Sequence, residues 1–228
     1  QAAKWQSMLG GGLKVPLTIR GIINRGGEQG AQHSQALHAW YAHVPGLRVV
    51  MPSTAMDARD LLISSILCDD PVIYIDDRWC YDHQEEFVEI KEMDLKKVQP
   101  KVTRQGQDIT IVSSSYTSLL SMEAAQKLNE MYNINAEVID LRVISPLDIE
   151  IILDSVNKTK KLLVVDGGWT HFGLSGEIIA SVSENFLFPS IQPQRITIKN
   201  SPAPTSKVLE EDYYINVDDI INKVNSMF

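Results

Sequence analysis

The chain has 228 residues, 44% of them hydrophobic and 22% charged, with a formal net charge of −8. That is enough apolar content to bury one large or two small cores, and the acidic balance argues against a nucleic-acid groove, which needs a basic surface. No apolar run approaches the roughly 18 residues that a membrane-spanning helix requires, and no signal-peptide pattern is present.

In chain order, "QAAKWQSML" reads as a helix with Ala2, Ala3, Trp5, Met8 and Leu9 on one face, stopped by Gly10 to Gly12. Nothing caps its start, so the chain is expected to begin inside a helix, with further residues ahead of it. "VPLTIRGI" (15–22) reads as a buried strand. A glycine-rich loop follows, then a helix from about Ser34 to His43, closed by Pro45-Gly46. "LRVVMP" (47–52) is the next strand. "TAMDARDLLISSIL" is a helix in which Thr54 and Asp57 have capping-box spacing, and "PVIYID" (71–76) is a third strand. This alternation implies parallel βα units.

From about Asp77 to Gln107 the sequence is charged and lacks periodicity, as expected of a connector holding one short strand pair. "DITIVSSS" (108–115) restarts the cycle. A helix (116–131), strand "AEVIDLRV" (136–143), helix (147–157) and strand "KLLVVD" (161–166) follow. The chain then closes with a helix (174–185), strand "QRITIK" (194–199) and a final helix (217–227). The fold class is therefore α/β, in two units: residues 1–77 and 108–228, joined by 78–107.

Three places could carry chemistry. His33, in "GEQGAQHSQ", is expected where a strand gives way to a helix N-terminus. Ligands of open α/β sheets collect at that rim, and such a terminus favours anions over an imidazolium. A neutral imidazole there can donate or accept a proton; the alternative is a ring that only satisfies loop carbonyls. "SILCDDP" (65–71) turns from a helix into a strand, and its carbonyls either hold a monovalent cation or form an ordinary turn. "DGGWTHFGLSGE" (166–177) reads as a close-packed βα turn, with Trp169 and Phe172 free for an interface. His38 and His43 are read as surface or helix-end residues, and Cys68 and Cys80 as free thiols of a reducing compartment. Most of the net negative charge lies after Gln107, including Glu210-Glu211 and Asp218-Asp219, which form either a solvated face or a docking surface for a basic partner.

The blocks "QAAKW", "VPLTIRG", "GAQHSQALHAWYAHVPGLRVVMPSTAMDARDLL", "DDPVIY", "LRVISPLD" and "PAPTSKVLEE" together resemble the beta subunit of thiamine-diphosphate-dependent 2-oxoacid dehydrogenases, of the pyruvate, branched-chain and acetoin type. The resemblance implies an incomplete pyrimidine-binding domain followed by a transketolase C-terminal-like domain. Its implied activity is oxidative decarboxylation of a small 2-oxo acid, with acyl transfer to a lipoyl acyltransferase partner. Thiamine diphosphate and Mg2+ are implied cofactors, the diphosphate held by an alpha-type subunit, and a second copy of this chain is an implied partner. His33 matches the family's active-site histidine. A potassium site is implied at the backbone carbonyls of Leu17, Ser65, Ile66, Cys68 and Asp70. The glutamate that activates the aminopyrimidine is expected upstream of this chain, so residues 1–228 alone should be inactive. The implied compartment is the cytoplasm, or the mitochondrial matrix in a eukaryote. The rival readings are a transketolase-type carboligase and a non-catalytic docking subunit. "IDDRWCYD" and "DGGWTHFG" depart from the family pattern and leave the identity of the 2-oxo acid open.

Overall fold

The computed structural model describes residues 1–90, 92–189 and 191–228. The first unit runs α1 (Ala2–Met8), β1 (Thr18–Ile23), α2 (Gly30–His33), α3 (His38–Ala42), β2 (Arg48–Val50), α4 (Ala55–Ile66) and β3 (Val72–Asp77). β3 lies between β1 and β2 and is parallel to both. Every residue of β3 is buried, as a central parallel strand covered on both faces should be. At the start of α4, Asp57 N donates to Thr54 Oγ1 (3.2 Å), while the Asp57 carboxylate turns to Arg142 (3.3 Å), so only half of the expected capping box forms. The apolar face expected of α1 is not buried; Lys4 Nζ ties the helix to the Pro45 carbonyl.

Single 3-10 turns at Arg78–Cys80 and Leu95–Lys97 precede β4 (Lys101–Arg104). Lys91, within the expected connector, lies outside the described residues. Among the described residues of the connector there is one strand where a pair was expected, and its mate is not local. β4 pairs antiparallel with β6, in a series that runs β5 (Ile109–Ser113), α5 (Tyr116–Tyr132), β6 (Ala136–Asp140), β7 (Val143–Ser145), α6 (Glu150–Thr159), β8 (Leu162–Trp169), α7 (Leu174–Ser183), β9 (Gln194–Ile198), α8 (Lys207–Tyr213) and α9 (Val217–Asn225). The second sheet has the order β4-β6-β5-β8-β9, parallel apart from its β4 edge. Asn133 closes α5 in the left-handed conformation, and Asn216 with Asp219 forms a full capping box on α9.

The strand expected over 136–143 is broken. Arg142 takes a left-handed φ of 59°, its N–H donates to Asp140 Oδ1 (3.3 Å), and the chain swings across to the other sheet. There β7 pairs antiparallel with β2, which makes a first sheet of order β1-β3-β2-β7. One hydrophobic core is accordingly built from both units, with Ile23, Val49, Ile73 and Ile75 packed in the same cluster as Val112, Ile139, Leu141 and Val164. α8 went unread in the sequence because its pattern is inverted. Val208 and Leu209 are exposed, whereas Glu210 is buried.

The corner also buries Asp140, whose Oδ2 accepts from Ser53 Oγ of the first unit (2.5 Å). Burial pushes the Asp140 carboxyl up to about 6 from 3.8, against the hydroxyl donors Ser53 and Ser118, and the nearby Asp57 adds to the rise. A carboxyl raised on folding binds its proton more tightly in the native state, so stability falls as pH rises from the unfolded value through the folded one. Asp140→Asn keeps an amide for Ser53 to meet and removes that cost. The variant should be more stable than the parent by up to about 3 kcal/mol near pH 8, with the gain fading toward about pH 4. Urea unfolding at both pH values checks this; a loss of stability at the higher pH would contradict it.

Candidate functional site

Because β1 and β3 are parallel, their C-terminal ends open on one rim, where Asn24 closes the loop after β1. Asn24 N donates to the His33 carbonyl (3.2 Å), and its own carbonyl accepts from Ser34 Oγ (2.9 Å). Its side chain donates to Gln29 Oε1 (3.0 Å) and accepts from Arg78 Nη1 (2.7 Å). This closure leaves the first half of the helix expected over 34–43 unformed: α2 ends at His33, and α3 takes only His38–Ala42. Ser34 is drawn back to the strand end, and Ala36 drops into the core at 4% exposure.

His33 is therefore the last residue of α2, not the first of a helix. The N-terminal field expected at His33 is absent, since α2 has one turn and starts three residues earlier. The rim position itself holds. The His33 side chain is exposed and lines an open hollow of about 490 Å³ with Ile22, Asn24, Arg78 and Tyr81. Its ring has no hydrogen-bond partner among the described residues. Beside it Arg20 reaches Asp76 Oδ2 (2.6 Å) and the Tyr81 hydroxyl (3.0 Å).

A buried ion pair and a buried histidine–carboxylate contact lie behind the rim, and neither was legible in the sequence. Arg25, 5% exposed, donates through Nε to Asp77 Oδ2 (2.6 Å) and through Nη2 to the Gly167 carbonyl (2.8 Å) of the second unit. Its guanidinium also lies 5.7 Å from the centre of the Tyr214 ring. His38, read as a surface residue, is 1% exposed, and its Nε2 lies 2.9 Å from Asp166 Oδ1. Burial pushes the Asp166 carboxyl up, but the His38 ring and the N–H groups of Ser175 and Gly168 outweigh it and hold the group below the usual carboxylate range. The "DGG" turn permits the approach. A Cβ on Gly168 would lie 2.9 Å from His38 Cε1. The one sequence signal was an acid ending an otherwise apolar strand, "KLLVVD". Trp169, expected to be free, is held through Nε1 by the Ser201 carbonyl (3.0 Å); Phe172 is fully exposed.

The five carbonyl positions also meet. Val15 N donates to the Asp69 carbonyl and Val72 N to the Leu17 carbonyl (2.8 Å), which brings Leu17 against the turn that ends α4. The Ser65 carbonyl accepts from Thr18 Oγ1 (2.8 Å) and Cys68 N (3.3 Å). Those of Ile66, Cys68 and Asp70 receive no hydrogen bond among the described residues. The Asp70 carboxylate is engaged by Arg48 (2.8 Å) and Lys96 (3.4 Å). The acidic pairs divide. Asp218 and Asp219 are exposed, but Glu210 is only 5% exposed and belongs to the interior, which corrects its reading as a solvated charge.

Comparison with known proteins agrees with this architecture. The family model of the transketolase pyrimidine binding domain matches residues 1–81, and that of the transketolase C-terminal domain matches residues 99–220. The pyruvate dehydrogenase E1 component subunit beta of Rickettsia bellii is 37% identical over 99% of this chain and 69% of its own length. The chain belongs to the family of pyruvate dehydrogenase E1 beta subunits. The mitochondrial E1 beta subunit of Saccharomyces cerevisiae is 36% identical over 99% of this chain, and that of Homo sapiens 38% identical over 96%. The chain spans 63% and 62% of the length of these two relatives. A solved split gene transketolase, an inactive beta4 tetramer, shares the fold with a TM-score of 0.76 at 21% identity, covering 93% of this chain and 66% of its own. Within this chain, His33 falls in the pyrimidine-binding match, and Arg25 and His38 both contact residues of the C-terminal-domain match, Gly167 and Asp166.

Arg25 and Asp77 test how strongly that junction depends on paired charge. Arg25→Met leaves Asp77 buried and uncompensated, which should lower unfolding stability by about 3–5 kcal/mol. Adding Asp77→Leu should recover most of the loss, because removing both charges ends the mismatch. Denaturant titration of the three chains checks this; additive losses in the double variant would contradict it.

Proposed function

We propose that this chain is the beta-type part of a thiamine-diphosphate-dependent 2-oxoacid dehydrogenase, with His33 as its catalytic histidine. The observation that carries the reading is the exposed His33 ring, without a hydrogen-bond partner among the described residues, in the rim hollow of a pyrimidine-binding domain. The hollow's lining suits the cofactor's heterocycle, with Ile22 as an apolar wall and Asn24 and His33 as polar contacts. When bound, thiamine diphosphate with Mg2+ supplies the carbanion chemistry at the 2-oxo carbon. The chain's own part is to place and move a proton. His33 presents a ring nitrogen to the oxygen of the 2-oxo group, donating to it as negative charge develops and taking the proton back afterwards. Arg78, fixed by Asn24, gives the hollow a positive charge suited to a small anionic substrate.

An alpha-type subunit would hold the diphosphate and Mg2+, and a second copy of this chain would complete the assembly. The domain boundaries are set at 1–77 and 108–228. Potassium would sit on the carbonyls of Leu17, Ser65, Ile66, Cys68 and Asp70, with the Thr18 hydroxyl turning away from Ser65. A lipoyl acyltransferase would dock on the acidic C-terminal domain, where Asp218 and Asp219 remain exposed. A reducing compartment, cytoplasm or matrix, is supported by two free cysteines, of which Cys80 has its thiol pushed up to about 12 by burial. No helix among the described residues is long and apolar enough to cross a membrane.

In the complete enzyme, His33→Ala should lower kcat by about 10²–10⁴-fold, the range for loss of a positioned proton donor. Cofactor affinity should change little, because the diphosphate is held by the other chain. Single-turnover decarboxylation of a small 2-oxo acid, measured beside cofactor titration, checks both. Parent-like turnover would reduce His33 to a surface residue.

A further inference from the structure

We propose that Glu210 and Thr205, at the far end of the chain, are positioning residues that set the loop carrying His33; the catalytic part of this inference rests on the reading of His33 given above. Inside the loop from Arg25 to Gly30, Gln29 Nε2 donates to the Gly27 carbonyl (3.2 Å), but Glu28 takes no part in that bond. Glu28 takes a left-handed φ of 61°, which a residue with a Cβ adopts only when its surroundings hold it there. The hold comes from the C-terminal domain. Glu28 N donates to Glu210 Oε2 (3.2 Å), and the Glu210 side chain, 5% exposed, has no hydrogen-bond partner on Oε1 among the described residues. A buried carboxylate aimed at one loop amide is an unusual use of a charge, since burial of an acid without a cation is unfavourable.

Two residues further on, Gly30 has a φ of 67°, and a Cβ there would lie 2.7 Å from Thr205 Oγ1. Gly30 is also the first residue of α2, whose last residue is His33. One rigid turn therefore separates the two anchor points from the ring. At its other end the loop is fastened by Arg25 to the Gly167 carbonyl. The histidine belongs to the first sheet, but its height above the rim is set from the second unit. A single extra methyl group at Gly30, or loss of one acceptor at Glu210, should move it.

The experiment uses the complete enzyme and reads amide hydrogen exchange over residues 26–33 beside steady-state kinetics. Glu210→Ala should raise exchange there by about tenfold, the factor that one hydrogen bond of ordinary net strength supplies. Glu210→Gln, which keeps a carbonyl acceptor, should restore protection. With Glu210→Ala, kcat should fall and KM should stay near the parent value. Adding Glu210→Ala to His33→Ala should cost nothing further, because the effect passes through the ring. If Glu210→Ala does not accumulate as folded protein, Thr205→Ala removes the hydroxyl beside Gly30 without straining the loop backbone and should give the same non-additive pattern. Unchanged exchange in both variants, or an additive loss of kcat on the His33→Ala background, would overturn the proposal. If exchange responds while His33→Ala itself retains full activity, the anchoring of the loop stands and the catalytic assignment of His33 falls.

Discussion

The burial of Arg25 is the constraint on which the rim depends. A guanidinium taken out of water must find charge and hydrogen-bond acceptors at once. One partner, Asp77, comes from the neighbouring strand, and the other, the Gly167 carbonyl, comes from the opposite sheet. Residue 25 lies two positions after the end of β1. Satisfying it fixes where the glycine-rich loop leaves the sheet and which part of the second unit the loop must meet. The shared core of Ile23, Ile75, Val112 and Val164 then makes the two units one packed body at this junction.

Two other buried acids at the same junction show how the surroundings decide the charge state. Asp166 has a ring and two backbone N–H groups directed at it and is held below its ordinary range. Asp140 has hydroxyl donors, one weak backbone contact and a second carboxylate nearby, and burial prevails there. Both carboxyls directly follow two β-branched residues, and nothing in "VID" or "VVD" distinguishes them. The difference lies in residues about ninety or more positions away or across the sheet, such as Ser53 and His38.

That contrast marks what was legible in the sequence. The buried strands were readable because continuous β-branched runs leave little alternative once both faces are covered. Helix starts with a side-chain acceptor, Thr54 and Asn216, were readable for the same local reason. The break at Ser34–Leu37 was not, since it follows from Ser34 bonding back to Asn24, a loop closure that no periodicity records. The corner at Arg142 was hidden in the same way inside "AEVIDLRV", which reads as one strand. α8 was missed because it buries an acid and exposes two aliphatic residues. The rim position of His33 was legible from its place after a strand, although it ends a short helix and does not begin one. His38 was dismissed on spacing alone, because the partner that buries it is 128 residues away.

The catalytic role of His33 depends on where its ring points when a substrate is present. The most direct measurement is a crystal structure of the complete enzyme with an unreactive analogue of a small 2-oxo acid. The account predicts the analogue in the hollow bounded by Ile22, Asn24 and Arg78, with a His33 ring nitrogen within about 2.6–3.2 Å of its 2-oxo oxygen, the reach that proton transfer requires. An analogue bound elsewhere, with the His33 ring still directed to solvent, would contradict it.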